Sequence, residues 1–208
     1  MSKLKMNREA QIVDKALQMF NERGIEYVGL RELAATLNMR VSNITYYFPV
    51  KDDLVNRLSM DLGRLNSQII IDDKELSIEK FFKMLNLVFH NHLKYRCLFL
   101  SLVHLVEQNK IMAARYKRTQ NDRNATIRSN LKTLAAAGYL VIHDEKEIEF
   151  LVSAISLIAR FWISEAAVSL RHLKPEEQIS HYLSMISRLL LPYLGSKGKK
   201  QLQKINSA

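Results

Sequence analysis

Along residues 7–23, apolar side chains fall at Ile12, Val13, Ala16, Leu17 and Phe20, the three-and-four spacing that puts them on one face of a helix. Asn7 is placed to cap that helix, and Gly24 to stop it in a left-handed conformation. A short second helix is predicted over 30–37, with Leu30, Leu33, Ala34 and Leu37 inward. Asn38 follows, a residue that tolerates a left-handed backbone better than most, so a tight turn is expected over 38–40. A third element over 41–48 turns Ile44, Tyr47 and Phe48 inward, leaves Ser42, Asn43, Thr45 and Tyr46 elsewhere, and ends at Pro49.

From Lys51 a longer repeat of Leu54, Val55, Leu58, Leu62, Leu65 and Ile69 predicts a helix that leaves the first three and enters a second layer. Asp72 and Asp73 break the pattern, and helical periodicity resumes over 77–95, 97–108 and 110–137, the last closed by Gly138. A helix over 147–171 is apolar nearly all round (Phe150, Leu151, Val152, Ile155, Leu157, Ile158, Phe161, Trp162, Ile163, Val168), so it must be covered on several sides. A membrane span is disfavoured because Arg160 and Glu165 would each cost about 2.5–3.5 kcal/mol at mid-bilayer. Pro175, Glu176 and Glu177 open a last helix over 176–191, which Pro192 and Gly195 close. The lysine-bearing tail, 196–208, is expected to be disordered. No strand-like alternation or internal repeat appears.

With 6 glycines and 3 prolines in 208 residues, long helices are favoured, and the class is all-α. The lone Cys97 sits in an apolar run and is expected to be buried; one thiol excludes an intrachain disulfide or a thiolate cluster. No apolar stretch follows the lysines of residues 1–6 that would serve as an export signal, so a cytoplasmic protein with no membrane partner is expected. The net charge of +10 points towards nucleic acid less directly than it seems. Residues 1–55 hold eight Lys/Arg against seven Asp/Glu, whereas residues 94–132 hold nine against two. That basic stretch reads first as a solvated face, with an anionic small molecule or long-range attraction for nucleic acid as the sharper alternatives.

Three short helices with a tight turn before the third are the parts of a helix-turn-helix, whose third member fits the DNA major groove. The residues that carry most weight are Ile12 to Phe20, Arg23-Gly24, Arg31-Glu32-Leu33-Ala34, Ile44-Thr45-Tyr46-Tyr47-Phe48-Pro49 and Lys51-Asp52-Asp53-Leu54. Together they resemble the TetR/AcrR family of regulators over residues 8–58. The resemblance implies a helix-turn-helix domain at 1–55 (motif about 29–48), a larger helical ligand-binding and dimerisation domain at 56–195, and the basic tail at 196–208. It implies a homodimer on double-stranded operator DNA, most simply a repressor released by a small-molecule inducer.

Carried over position by position, the resemblance assigns DNA contact to Arg40, Ser42, Asn43, Thr45, Tyr46, Tyr47 and Lys51; their hydroxyl, amide and cationic donors suit phosphates and base edges. Three positions depart from the family pattern. Asn38 stands for the usual turn glycine, Thr45 for the commonest tyrosine with loss of one phosphate contact, and Val28-Gly29 for a Thr or Ser pair with loss of a helix cap. Lys3 and Lys5, with Arg40 and Lys51, would then supply much of the phosphate neutralisation. Phe89 and Trp162 are named as ligand-pocket candidates, and Ile155, Ile158, Trp162, Ile179 and Ile186 as dimer-interface residues.

Tyr47 and Phe48 read equally as core aromatics, and for Phe48 that reading is preferred. His90 and His92, two apart, point about 200° apart around a helix, so no metal site is expected. No cofactor and no catalytic residue is assigned, since the chain has no nucleophile elbow, phosphate loop or paired His/Glu ligands. The alternative is a helical adaptor or oligomerisation protein that binds no specific DNA sequence.

Overall fold

The computed structural model describes residues 8–69 and 76–206; Lys3, Lys5, the cap expected at Asn7 and the break at Asp72-Asp73 lie outside them. The elements are α1 (Arg8–Arg23), α2 (Leu30–Thr36), α3 (Val41–Thr45), α4 (Lys51–Ser67), α5 (Ile78–Lys94), α6 (Arg96–Leu100), α7 (Leu102–Gln108), α8 (Lys110–Ala136), α9 (Glu145–Ser169), α10 (Pro175–Leu190), a 3-10 turn (Leu191–Tyr193) and α11 (Ser196–Asn206). Among the described residues no strand forms; Leu140 and Leu194 make an isolated antiparallel bridge.

Two compact units emerge. The first comprises residues 1–65 and 94–115, the second 66–93 and 116–208. The first is therefore larger than the 1–55 domain expected from the motif, and its extra piece is held by hydrogen bonds. Asn21 at the end of α1 donates from Nδ2 to the Lys94 carbonyl at 2.8 Å and accepts the Cys97 amide at Oδ1 at 3.0 Å. Arg96 donates twice to the Asn21 carbonyl, at 3.0 and 2.7 Å. α6 is thereby tied to the end of α1, and Cys97 is buried with its thiol pKa pushed up to about 12 by desolvation.

The core of the first unit is the stripe that the periodicity marked: Ile12, Val13, Ala16 and Phe20 of α1, Leu33 and Ala34 of α2, Ile44 of α3, and Leu54, Val55, Leu58 and Leu62 of α4. Phe48 is buried with them. Gly24 ends α1 at φ +94° and Asn38 turns the chain at φ +52°, the conformation expected of each. α2 begins at Gly29 without a side-chain cap, the loss expected from Val28-Gly29, and Val28 is instead buried.

The second unit is built on α5, most of α8, and α9 to α11. α9 is capped by Asp144, whose Oδ1 accepts the Glu147 amide at 2.9 Å; α10 starts at Pro175, with Glu177 Oε2 accepting the Lys174 amide at 2.7 Å. α9 is long and apolar enough to cross a membrane by length and composition. Its Leu151, Val152, Ile155, Ala159, Trp162, Ile163 and Ala166 are buried within the chain, whereas Phe150, Leu157 and Val168, part of the same all-round apolar pattern, are exposed.

The tail corrects the expectation of disorder: residues 196–206 are helical. The cause is docking rather than propensity. Gly198 lies so close to the chain before α9 that a Cβ there would meet the Tyr139 carbonyl oxygen at 2.2 Å. Leu202 is buried, Lys197 lies 4.1 Å from the centre of the Tyr139 ring, and Gln201 Oε1 accepts the Ile78 amide at 3.1 Å.

Candidate nucleic-acid interface

In the first unit, α3 is held from beneath by Ile44 and Phe48, both buried. Its outer face is polar and aromatic. Arg40 and Ser42 are exposed, Asn43 is half-exposed, and Tyr46 is the most exposed large hydrophobic side chain of the described residues at 81%. Tyr47 is half-buried and meets Tyr46 edge-to-face, ring centres 5.0 Å apart, which orients Tyr46 without covering it. An aromatic with a polar tip costs free energy to leave in water, and a surface that places one beside an amide and a hydroxyl suits a partner with apolar faces and polar edges.

Thr45 differs from its neighbours. Its hydroxyl donates to the Val41 carbonyl at 3.3 Å, so it is engaged in its own helix. Lys51 differs too. Its ammonium donates to the Ile25 carbonyl at 2.9 Å and reaches the Glu26 carbonyl at 3.4 Å, stapling the start of α4 to the turn after α1 and leaving one N–H for a further acceptor. The same staple holds the turn that presents Tyr27, 76% exposed just ahead of α2. The helical periodicity did not select Tyr27, because it lies in the turn between two helices.

Other charges near α3 are committed to structure. Arg23 pairs with Glu32 between α1 and α2, and Arg57 of α4 bridges Glu9 of α1 and Asp61. Asp53 caps α4 by accepting the Val50 amide at 3.2 Å, while Asp52 takes the Asn109 side chain at 2.7 Å. Part of the basic stretch 94–132 behaves similarly: Arg96 and Arg115 donate to backbone carbonyls, and Arg128 and Lys132 pair with Glu145 and Glu149 of the second unit.

In the second unit Phe89 and Trp162 come together, stacked at 5.1 Å and 4°, with Tyr182 against Trp162 at 5.7 Å. Of the residues named for a dimer interface, Ile155, Trp162, Ile179 and Ile186 are buried in the chain's own core, and Ile158 is half-buried. Apolar periodicity marks the face turned to the core, which one chain already fills. The exposed apolar residues of the same helices are Phe150, Leu157, Val168 and Met185. His92 is fully buried whereas His90 is exposed with its ring nitrogen on the Asn86 carbonyl, and no group of three possible metal ligands occurs among the described residues.

A three-helix unit with a left-handed turn before a short, outward-facing polar third helix is a helix-turn-helix of the DNA-binding type. A family model for the N-terminal region, bacterial regulatory proteins of the tetR family, matches residues 12–58, and one described as TetR, bacterial transcriptional repressor, matches residues 64–202. The chain belongs to the TetR family of transcriptional regulators, and it is a DNA-binding regulator.

Among curated proteins it is 30% identical over 73 residues to the HTH-type transcriptional regulator LuxR of Vibrio harveyi, a match to 35% of this chain and 36% of that one. A TetR-family regulator from Marinobacter aquaeolei has the same fold over 97% of this chain and 98% of its own, with TM-score 0.89 at 20% identity. A transcriptional regulator from Saccharomonospora viridis, solved in complex with choline, aligns over 87% of this chain and 97% of its own with TM-score 0.65 at 16% identity.

Proposed function

We propose that the protein is a cytoplasmic homodimeric repressor whose two α3 helices enter successive major grooves of a pseudo-palindromic operator, and that a small-molecule inducer bound in the second unit releases it. The observation that carries this reading is the outward face of α3, with Tyr46 81% exposed between Asn43 and the Lys51 staple. Arg40, Ser42, Asn43, Tyr46 and Tyr47 supply contacts to bases and backbone, and Lys51 offers its remaining N–H to a phosphate. Thr45 contributes its methyl edge rather than its hydroxyl, which α3 already uses. A second copy docks on the outward face of α9 and α10 through Phe150, Leu157, Val168 and Met185.

For an inducer to act, it must prefer the dimer geometry in which the two α3 helices are wrongly spaced for DNA. The choline complex of the Saccharomonospora viridis regulator supports the capacity of this fold to hold a small molecule. Selection of bound duplexes from a random pool tests the reading. The expected product is an inverted repeat with half-sites about 10 base pairs apart, one turn of B-DNA. Recovery of unrelated sequences, or of a single half-site, would count against a groove-reading dimer.

A further inference from the structure

The inner stripe of α8 changes character along its length. Ile127, Leu131 and Leu134 are apolar and buried, but the turns before them carry Tyr116, Gln120, Arg123 and Asn124. These polar groups are joined in a chain. Tyr116 Oη and Arg123 Nη1 both donate to Gln120 Oε1 at 3.4 Å, Gln120 Nε2 donates to Asn124 Oδ1 at 3.0 Å, and Ser156 of α9 donates to the same oxygen at 2.6 Å. Gln120 and Ser156 are buried.

Two guanidinium groups stand at this place. Arg160 of α9 lies 6.0 Å from the Tyr116 ring and 5.8 Å from the Phe161 ring, and its Nε is buried with no hydrogen-bond partner. Arg123 is partly exposed by area, yet desolvation is the largest influence on its pKa and lowers it; Arg160 lowers it further by repulsion. The ion pairs of this unit among the described residues belong to Lys83, Arg128, Lys132 and His143, none to Arg123 or Arg160. The contrast with Arg128 is close at hand: five residues further along α8, two glutamates of α9 meet one guanidinium.

The neighbouring wall is aromatic. His92, fully buried, stacks on Phe89 at 6.0 Å and lies near enough to Arg123 to feel its charge, and Phe89 stacks on Trp162. Trp162 Nε1 and Tyr182 Oη are buried without hydrogen-bond partners. The unpartnered buried atoms of α9 and α10, Arg160 Nε on one side of α9 and Trp162 Nε1 and Tyr182 Oη at the ring stack, all carry a proton to donate. Two guanidinium groups with no ion pair among the described residues, one of them with a buried idle N–H, stand near His92 and the ring stack it joins, a place suited to an acceptor-rich, negatively charged occupant.

We propose that Arg123 and Arg160 are the anion-receiving groups of an effector site in the second unit, and that its ligand is a small organic anion, carboxylate or phosphate, on an apolar body that lies against Phe89 and Trp162. This inference rests on the reading of the second unit as the effector-binding part. The planar forks of the two arginines suit either head group, and the ligand's charge supplies what the described residues do not.

Trp162 is the chain's only tryptophan, so its fluorescence reports this place directly. The full-length protein is titrated with octanoate, octyl phosphate, inorganic phosphate, 1-octanol and choline, following Trp162 emission and thermal midpoint. Saturable binding of octanoate or octyl phosphate is expected, weakened at least tenfold in Arg123→Gln and in Arg160→Gln and retained within threefold in Arg123→Lys, with all variants folded by circular dichroism. Preference for one head group assigns the ligand to carboxylates or to phosphates. Tighter binding of 1-octanol or choline, or undiminished anion binding by both Gln variants, would overturn the proposal. Anion binding that leaves DNA affinity unchanged would uphold the anion site and refute the effector reading, whereas DNA release by a neutral ligand with no anion bound would do the reverse.

Discussion

Lys51 carries an observed staple and a proposed phosphate contact, and replacing it separates them. Lys51→Met keeps the stem of the side chain and removes the ammonium, which donates to the Ile25 carbonyl at 2.9 Å and to the Glu26 carbonyl at 3.4 Å. Hydrogen bonds from a charged donor are worth about 1.5–3 kcal/mol each. Only the shorter is part-buried, and both carbonyls gain water when the ammonium leaves, so the expected loss of stability is about 1 kcal/mol. In urea, with a slope of about 2–3 kcal/mol per molar, the midpoint should fall by about 0.3–0.5 M at fixed protein concentration, read by circular dichroism.

The same variant on operator DNA should show a shallower salt dependence. Each phosphate neutralised contributes about 0.9 to the slope of log K against log salt, so a dimer that loses two lysine contacts loses about 1.8. A midpoint that does not move would refute the staple. An unchanged salt slope would refute the phosphate contact and leave Lys51 with a purely architectural role.

Two further perturbations test the second unit. Burial holds the His92 imidazole well below its usual pKa, with the Arg123 charge adding to the effect, so the folded protein keeps it neutral while the unfolded chain protonates it near pH 6.5. The unfolded state then binds more protons, and stability must fall as pH drops below about 6.5, by up to about 1.4 kcal/mol per pH unit from this group. Thermal melts from pH 7.5 to 5 should show a smaller decline in His92→Gln than in the wild type; identical declines would contradict a buried neutral imidazole. Leu157→Glu places a charge on the outward face of α9 at a side chain 57% exposed in one chain. Sedimentation should show a folded monomer in place of a dimer, and an unaltered dimer would move the interface elsewhere.

How much of this could be read from residues alone differs between the two units. In the first, short helices with one-sided apolar stripes, Gly24 and Asn38 at their left-handed positions, and Pro49 after α3 are local signals, and local signals survive folding. Tyr27 escaped because it lies in a turn, where periodicity says nothing about exposure. The inclusion of residues 94–115 in that unit depends on Asn21 reaching 73 and 76 residues along the chain, a pairing no window of sequence displays.

In the second unit, periodicity located the core stripes of α9 and α10 but could not separate them from a face for a second copy, because an apolar residue does not state which surface covers it. Ile155 and Leu157 look alike in sequence, yet the first is buried in the chain's core and the second is exposed. Arg160 was visible as a charge within an apolar helix, a sign against a membrane span. Its kinship with Arg123 required the packing of α8 against α9. The helix of the tail was hidden for a related reason: its composition is that of a solvated lysine-rich segment, and the close approach of Gly198 to Tyr139 is what seats it.

The central claim is that the outward face of α3 reads DNA sequence, and Tyr46, 81% exposed, is its outermost aromatic. Fluorescence anisotropy of wild type and Tyr46→Ala on the selected duplex and on a scrambled one, across a salt series, measures that claim directly. The account predicts wild-type affinity for the selected duplex at least a thousandfold above the scrambled one, a steep fall with salt, and a loss of about tenfold or more in the intact Tyr46→Ala dimer. Equal affinity for both duplexes, or a Tyr46→Ala protein that binds as tightly as wild type, would contradict it.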